Sequence, residues 1–312
     1  MRDFPYPASV RRPRYGTFPS AKTCRLRLDQ RFGREERIMI KDLLVVIDNS
    51  INSDRFLQTA LSLAERVGAH AEVAMLSPGP LASAKLAPLG SLYVPEDVLV
   101  EEERARMAVV RGSTAEFTCP VEVYGLHDDV AWIAHDLRLA HPLADLIVVG
   151  GPESWEVPWL RQRVLETLLL STGTPLLVLP EERRLDPVRH AVLGWKPSRE
   201  VNRAVHDLVS FAEPGATIEL VIVDDDPEAA VRAHAAEVER HLVRHGFKTL
   251  LHVSPTGDWS STGEMLVHHA IKQNADLLVI GGYAHSRVRE VLLGGVTRTL
   301  LGEVRLPVLL SH

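Results

Sequence analysis

Two cysteines, Cys24 and Cys119, are all that the 312 residues contain. They stand far apart with no CxxC spacing, which excludes a disulfide framework and a thiolate zinc site and suits a reducing cytoplasm. No apolar run reaches the roughly 18 to 20 residues needed to cross a bilayer, so no membrane partner is expected. No apolar h-region follows the N-terminal charges, as a secretory signal would require. There is no Gly-x-Ser-x-Gly elbow for serine catalysis. No pair of residues reads as a base with its orienting group, so no catalytic residue is assigned and the chain is not expected to be an enzyme, with slow nucleotide hydrolysis the lowest-ranked alternative. Basic charge is scarce over most of the chain. Residues 1–38 hold ten Arg or Lys against four Asp or Glu, so of the net charge of -6 the remainder carries about -12. Phosphate binding needs a basic face, so nucleic acid is not expected as the partner of the body.

What is present begins with the basic extension, residues 1–38, rich in arginine and proline (Pro5, Pro7, Arg11, Arg12, Pro13, Arg14, Pro19). It shows neither a 3.6 nor a 2.0 hydrophobic period and reads as disordered. Its composition imitates a transit peptide or a nucleic-acid tail. The blander reading is an upstream start, because Met39 stands immediately before the first strand.

The rest of the chain repeats itself. Ala144-Asp145-Leu146-Ile147-Val148-Val149-Gly150-Gly151 matches Ala275-Asp276-Leu277-Leu278-Val279-Ile280-Gly281-Gly282. Thr174-Pro175-Leu176-Leu177-Val178-Leu179 matches Leu306-Pro307-Val308-Leu309-Leu310, and Leu43 to Asp48 match Ala191 to Lys196. The order is preserved, which indicates duplication with 181–187 as linker. In each copy short aliphatic runs alternate with 3.6-period segments, the pattern of strands buried on both faces and crossover helices. The expected strands are 43–48, 71–76, 120–124, 145–150 and 175–180, then 189–195, 217–223, 248–253, 276–281 and 307–311. Helical stripes appear at Val201, Ala204, Val205 and Leu208, at Val231, Ala235, Val238 and Leu242, and at Leu266, Val267, Ala270 and Ile271. The predicted architecture is therefore α/β: two tandem, doubly wound, five-stranded parallel-sheet domains, 39–182 and 187–312. Such folds hold ligands at the carboxyl ends of strands, where the strand order reverses.

The fourth strand of the second copy ends at Gly281-Gly282-Tyr283-Ala284-His285-Ser286-Arg287, and Gly294-Gly295 precede a stripe at Val296, Leu300 and Val304. Glycine lets the backbone approach a phosphate, and the start of a helix supplies free N–H groups and a positive dipole end, with the Thr297 hydroxyl as a further donor. The stretch resembles the C-terminal signature of the universal stress protein family, a resemblance that covers nearly all of residues 39–312. Nucleotide-binding members carry Gly, two residues, Gly, nine residues, Gly, then Ser or Thr. Gly281 and Gly294 fall on the first and third glycines; Ala284 and Gly295 replace the second glycine and the hydroxyl residue.

The resemblance implies a Rossmann-like or flavodoxin-like fold and a cytoplasmic stress-response protein. ATP, with Mg²⁺, would sit in the second domain on Gly281, Gly282, Ala284, His285, Gly294, Gly295, Val296 and Thr297. Lys196, Val223 and Arg287 are further candidate contacts. The family's nucleoside-contacting aspartate corresponds to Asp48 in the first copy and Lys196 in the second. The first copy keeps Asp48 but has lost the later glycine, and no phosphate site is expected there. The alternative is an interaction module of the family's non-nucleotide branch, with unknown protein partners. Relatives dimerise, so Leu176–Leu179 and Val308–Leu310 are expected to pair as an internal pseudo-dimer, with a homodimer also open.

Other groups have plainer readings. His241 and His245 lie i,i+4 but beside the Val238/Leu242 stripe and without a zincin Glu, so no metal ligand is assigned. His268 and His269 are expected on the solvent side of their helix. Asp224-Asp225-Asp226 would hold Mg²⁺ or, more plainly, form a loop with a helix N-cap before Pro227. Arg287, Arg289 and Arg298 would clamp phosphates or form a solvated face. The Ser-Gly-Gly loop of related pyrophosphatase folds is replaced by Asp48-Asn49-Ser50 and Lys196-Pro197-Ser198.

Overall fold

The computed structural model describes residues 40–78, 96–128, 135–137, 143–181, 183–257, 259, 261–282, 302 and 304–312. These described residues belong to one compact unit. The extension 1–38 lies outside the described residues, as do Ala284, His285, Arg287, Arg289, Gly294, Gly295, Val296, Thr297 and Arg298.

In the first half the order is β1 (Asp42–Asp48), α1 (Asp54–Val67), β2 (His70–Pro78), α2 (Glu96–Thr114), β3 (Val121–Asp128), β4 (Leu146–Gly150), α3 (Pro158–Ser171) and β5 (Leu176–Leu179). The second half gives β6 (Val188–Gly194), α4 (Arg199–Phe211), β7 (Ala212–Val223), α5 (Ala229–Arg244), β8 (Lys248–Ser254), α6 (Thr262–Lys272), β9 (Leu277–Gly281) and β10 (Val308–Ser311). Strands β1, β4, β5, β9 and β10 are buried along nearly their whole length, which is why they read as unbroken aliphatic runs rather than alternating ones. The helices follow the 3.6 period. Phe56, Leu57, Ala60, Leu61 and Ala64 of α1 are fully buried, and the helix stops at Gly68, whose φ of 67° is the left-handed conformation glycine adopts at least cost.

Among the described residues ten strands form one sheet in the order β3-β2-β1-β4-β5-β10-β9-β6-β7-β8. Each half is parallel within itself, and the halves join where β10 runs antiparallel to β5, pairing Val308 with Val178, Leu309 with Leu177 and Leu310 with Leu176. The internal pairing expected of these two segments is thus present. Side chains alternate across the joint. Leu177, Leu179 and Leu309 enter one core, while Leu176, Val178, Val308 and Leu310 enter the other, and each core draws residues from both halves. The linker adds to this, since Leu185 is buried in the first of these cores.

Two expectations need correction. Strand β7 starts at Ala212 rather than 217, because a register shift opposite Val188 and His190 and a positive φ at Gly215 absorb the extra residues. Helix α6 buries Met265, Leu266, His269 and Ala270, whereas Ile271 is 38% exposed, so its inward face is rotated from the predicted stripe. His269 is not on the solvent side; His268 is.

Because Leu309 is fully buried at the joint, Leu309→Ala should cost about 2–5 kcal/mol. Chemical denaturation followed by far-UV circular dichroism should show the loss in a midpoint shift of both halves; a shift confined to one would contradict a shared core.

Candidate functional site at the carboxyl rims

In the second half, β7 lies on one side of β6 and β9 on the other, so the strand order reverses between β6 and β9. The crevice at such a reversal is where an open α/β sheet receives ligands. Gly194 pairs with Ile280 at its mouth. Beyond Gly194 come the buried Trp195, whose backbone N–H donates to Val221 O at 2.8 Å, and the exposed Lys196. Beyond Ile280 come Gly281 and Gly282, and Val223 ends β7, the next strand along. Lys196, Val223, Gly281 and Gly282 therefore lie along one rim.

The two described glycines each have a packing cause. A Cβ at Gly281 would stand 2.5 Å from Val201 N and 2.8 Å from Glu200 C, in the first turn of α4. That turn is fixed in place by Ser198, which accepts from Val201 N at 3.2 Å. A Cβ at Gly282 would come 2.9 Å from Leu169 Cδ2, on helix α3 of the first half. Gly282 N–H donates to Ser311 O at 2.7 Å, and its carbonyl lies 3.0 Å from His312 Nδ1. Neither glycine has a positive φ, so close approach rather than backbone conformation demands the missing side chain.

Asp224-Asp225-Asp226 are absorbed by loop bonds. Asp224 Oδ1 accepts from Asp226 N at 3.1 Å, and Asp225 accepts from the Thr256 backbone N–H at 3.0 Å and from the Thr256 hydroxyl. They do not cap α5, whose N-cap is Glu228 without a side-chain bond. Helix α5 also carries His241, which meets the His206 ring edge-on at 5.6 Å and the His245 ring at 4.5 Å. Burial, with the neighbouring His245, His206 and Arg244, lowers the His241 pKa. No group of three or more metal-ligating side chains occurs among the described residues.

The first-half rim has the same plan with different contents. Asp48 ends β1, is 1% exposed, and accepts from Ser50 N at 3.2 Å, Ser50 Oγ at 2.7 Å and Glu156 N at 2.7 Å. Its carboxylate is thus engaged by its own chain across the β1/β4 crevice. Burial raises the carboxyl above the usual aspartate range, while the bonds from Ser50 and Glu156 work in the opposite direction. Arg106 Nη2 donates to Ser50 O at 2.7 Å and to Ser53 Oγ at 3.2 Å and pairs with Asp54, tying α2 to this rim. After β4, Ser154 Oγ donates to Gly151 O at 2.8 Å, and Arg161 Nε donates to Gly150 O at 2.9 Å.

The model of the Universal stress protein family matches residues 39–180 and again 188–312. The chain belongs to the universal stress protein family. Solved structures similar along most of its length share the fold. A universal stress protein from Archaeoglobus fulgidus DSM 4304 superposes with a TM-score of 0.63 at 16% identity, over 88% of this chain and 96% of that one. A protein of unknown function from Pseudomonas aeruginosa PAO1 gives 0.53 at 16% identity, over 87% and 92%. No curated protein matches the chain.

This universal stress protein also carries a buried polar cluster that periodicity alone does not reveal. His269 Nε2 lies 2.8 Å from Glu219 Oε1, both groups buried, and His190 Nε2 lies 3.7 Å from Glu219 Oε2. His252 stacks at 4.7 Å from the His269 ring. The available signal was a glutamate in the middle of Ile218-Glu219-Leu220-Val221, since a charge in a buried strand needs a partner.

Gly281→Ala should destabilise the protein by about 1–3 kcal/mol through overpacking against α4, read by urea denaturation. For Asp48 the sign is the reverse of the common carboxylate case. A raised folded pKa means its contribution is fully present when protonated and fades as pH rises through the folded value. The stability of wild type minus that of Asp48→Asn should therefore fall as pH rises above about 4, the ordinary aspartate value; a flat difference would contradict the assignment.

Proposed function

We propose that the second half binds an adenine nucleotide in the β6/β9 crevice and that the chain acts as a stress-response protein through nucleotide-dependent conformation rather than catalysis. The support is the contrast between the rims. Asp48 is buried and saturated by Ser50 and Glu156, whereas its counterpart Lys196 is an exposed ammonium beside the reversal point. An ammonium there suits phosphate oxygens as a point charge, in place of the nucleoside contact an aspartate would make. The signature-like run from Gly281 to Thr297 supports the adenine-nucleotide assignment, and Mg²⁺ would accompany the phosphates.

A second reading has one observation in its favour. Gly281 and Gly282 already serve helix approach, and the Gly282 N–H is already bonded to Ser311 O. In that reading the protein is an interaction module of the same family and its ligand is another protein.

Isothermal titration of the full chain with Mg-ATP separates the two. Under the nucleotide reading the wild type binds, Lys196→Glu weakens binding by roughly tenfold or more, about 1.4 kcal/mol, and Gly294→Asp abolishes it. No heat at millimolar nucleotide rejects the reading, and protein purified free of nucleotide that captures a protein partner selects the second.

A further inference from the structure

Helix α3 belongs to the first half yet touches both rims. Since β5 and β10 are antiparallel, the carboxyl ends of the two sets of parallel strands point to opposite edges of the sheet. The helix starts at one edge, next to Gly150, and finishes at the other, next to Gly282. Its 14 residues span about 21 Å. In its first turn the buried Arg161 donates to Gly150 O at 2.9 Å. Burial, opposed by the Glu153 carboxylate, brings that guanidinium down to about 10, so it remains charged at neutral pH and holds the carbonyl with a charge-assisted bond. Near its end Leu169, 1% exposed, lies so close over Gly282 that even a methyl group there would meet its Cδ2 at 2.9 Å.

Between these ends Leu160, Val164, Leu165 and Leu168 are buried in the core that also contains Ile280, Val308 and Leu310 of the second half. These residues thus share one core with residues of both halves. Gly282 is held from three directions: its N–H by Ser311, its carbonyl by His312, and its open side by Leu169. Only the last comes from the other copy. The half whose Asp48 is bonded from within thus retains a structural hold on the half with the β6/β9 crevice.

We propose that α3 is a brace for the second rim: Leu169 is the positioning residue for Gly282, and the Arg161 anchor at the far end fixes how the helix presents it. The consequence for ligand affinity rests on the nucleotide reading above; the mechanical statement stands apart from it. The test is amide hydrogen exchange with mass spectrometry on the full chain, for wild type, Leu169→Ala, Leu169→Met and Arg161→Met. A brace predicts exchange in the 277–282 peptide about fivefold faster or more in Leu169→Ala and Arg161→Met, with the 218–223 peptide at its wild-type rate. The volume-conserving Leu169→Met should retain wild-type exchange. An unchanged 277–282 rate in Arg161→Met, or a parallel rise in both peptides, overturns the proposal, because the first shows no transmission and the second only general loosening. Where the wild type binds Mg-ATP, Leu169→Ala and Arg161→Met should each bind roughly tenfold more weakly, and wild-type affinity in both overturns the brace as a control on the site. A wild type that binds no nucleotide removes the nucleotide reading alone, and the exchange result still decides the brace.

Discussion

Taken alone, either half would end in a short aliphatic strand with one row of backbone N–H and C=O groups unpaired, an arrangement that invites association with another chain. The antiparallel contact of β5 with β10 pairs those groups within the molecule and covers Leu176 to Leu179 with Val308 to Leu310. Much else follows from it. The two cores, one on each face of the sheet, become continuous across the joint, and the reversal of direction sends the two carboxyl rims to opposite edges. That geometry lets a single helix, α3, reach from Gly150 to Gly282.

Within this common plan the two copies have diverged in charge and in packing at equivalent positions. At the end of the first strand one copy keeps a carboxylate, draws it inside and surrounds it with donors; the other places an ammonium in solvent. Burying an aspartate raises the cost of its charge, which the Ser50 and Glu156 bonds partly offset. After the fourth strand both copies have a pair of glycines. Gly281 and Gly282 accommodate α4 and α3, whereas beside Gly150 a Cβ would strike Ser154 and Phe56 of its own half. The same two letters thus answer to different neighbours.

A polar cluster underlies α6 in the second half. Glu219 sits between His269 and His190, with His252 stacked on His269. Leu266 of the same helix lies over Gly194, where a Cβ would approach its Cδ1 to 2.8 Å, so α6 connects this cluster to the strand that leads to Lys196. A buried carboxylate without such partners would be costly, which explains why a histidine occupies an inward position on an otherwise apolar helix face.

The sequence alone determined the duplication, the α/β class and nearly every strand, because burial on both faces of a parallel sheet imposes aliphatic runs that are local and visible. It also located the rim, since Gly281, Lys196 and Val223 each stand at the end of such a run. The face of α6 was not legible: periodicity placed His269 outward, and only Glu219, fifty residues away in the chain, brings it in. The meaning of the glycines was equally hidden, as a phosphate and a packed helix both require the absence of a Cβ. Only the tertiary structure decided between neighbours, for the atoms nearest Gly282 belong to Leu169 in the other copy, and no pattern within either copy encodes a contact made across the joint.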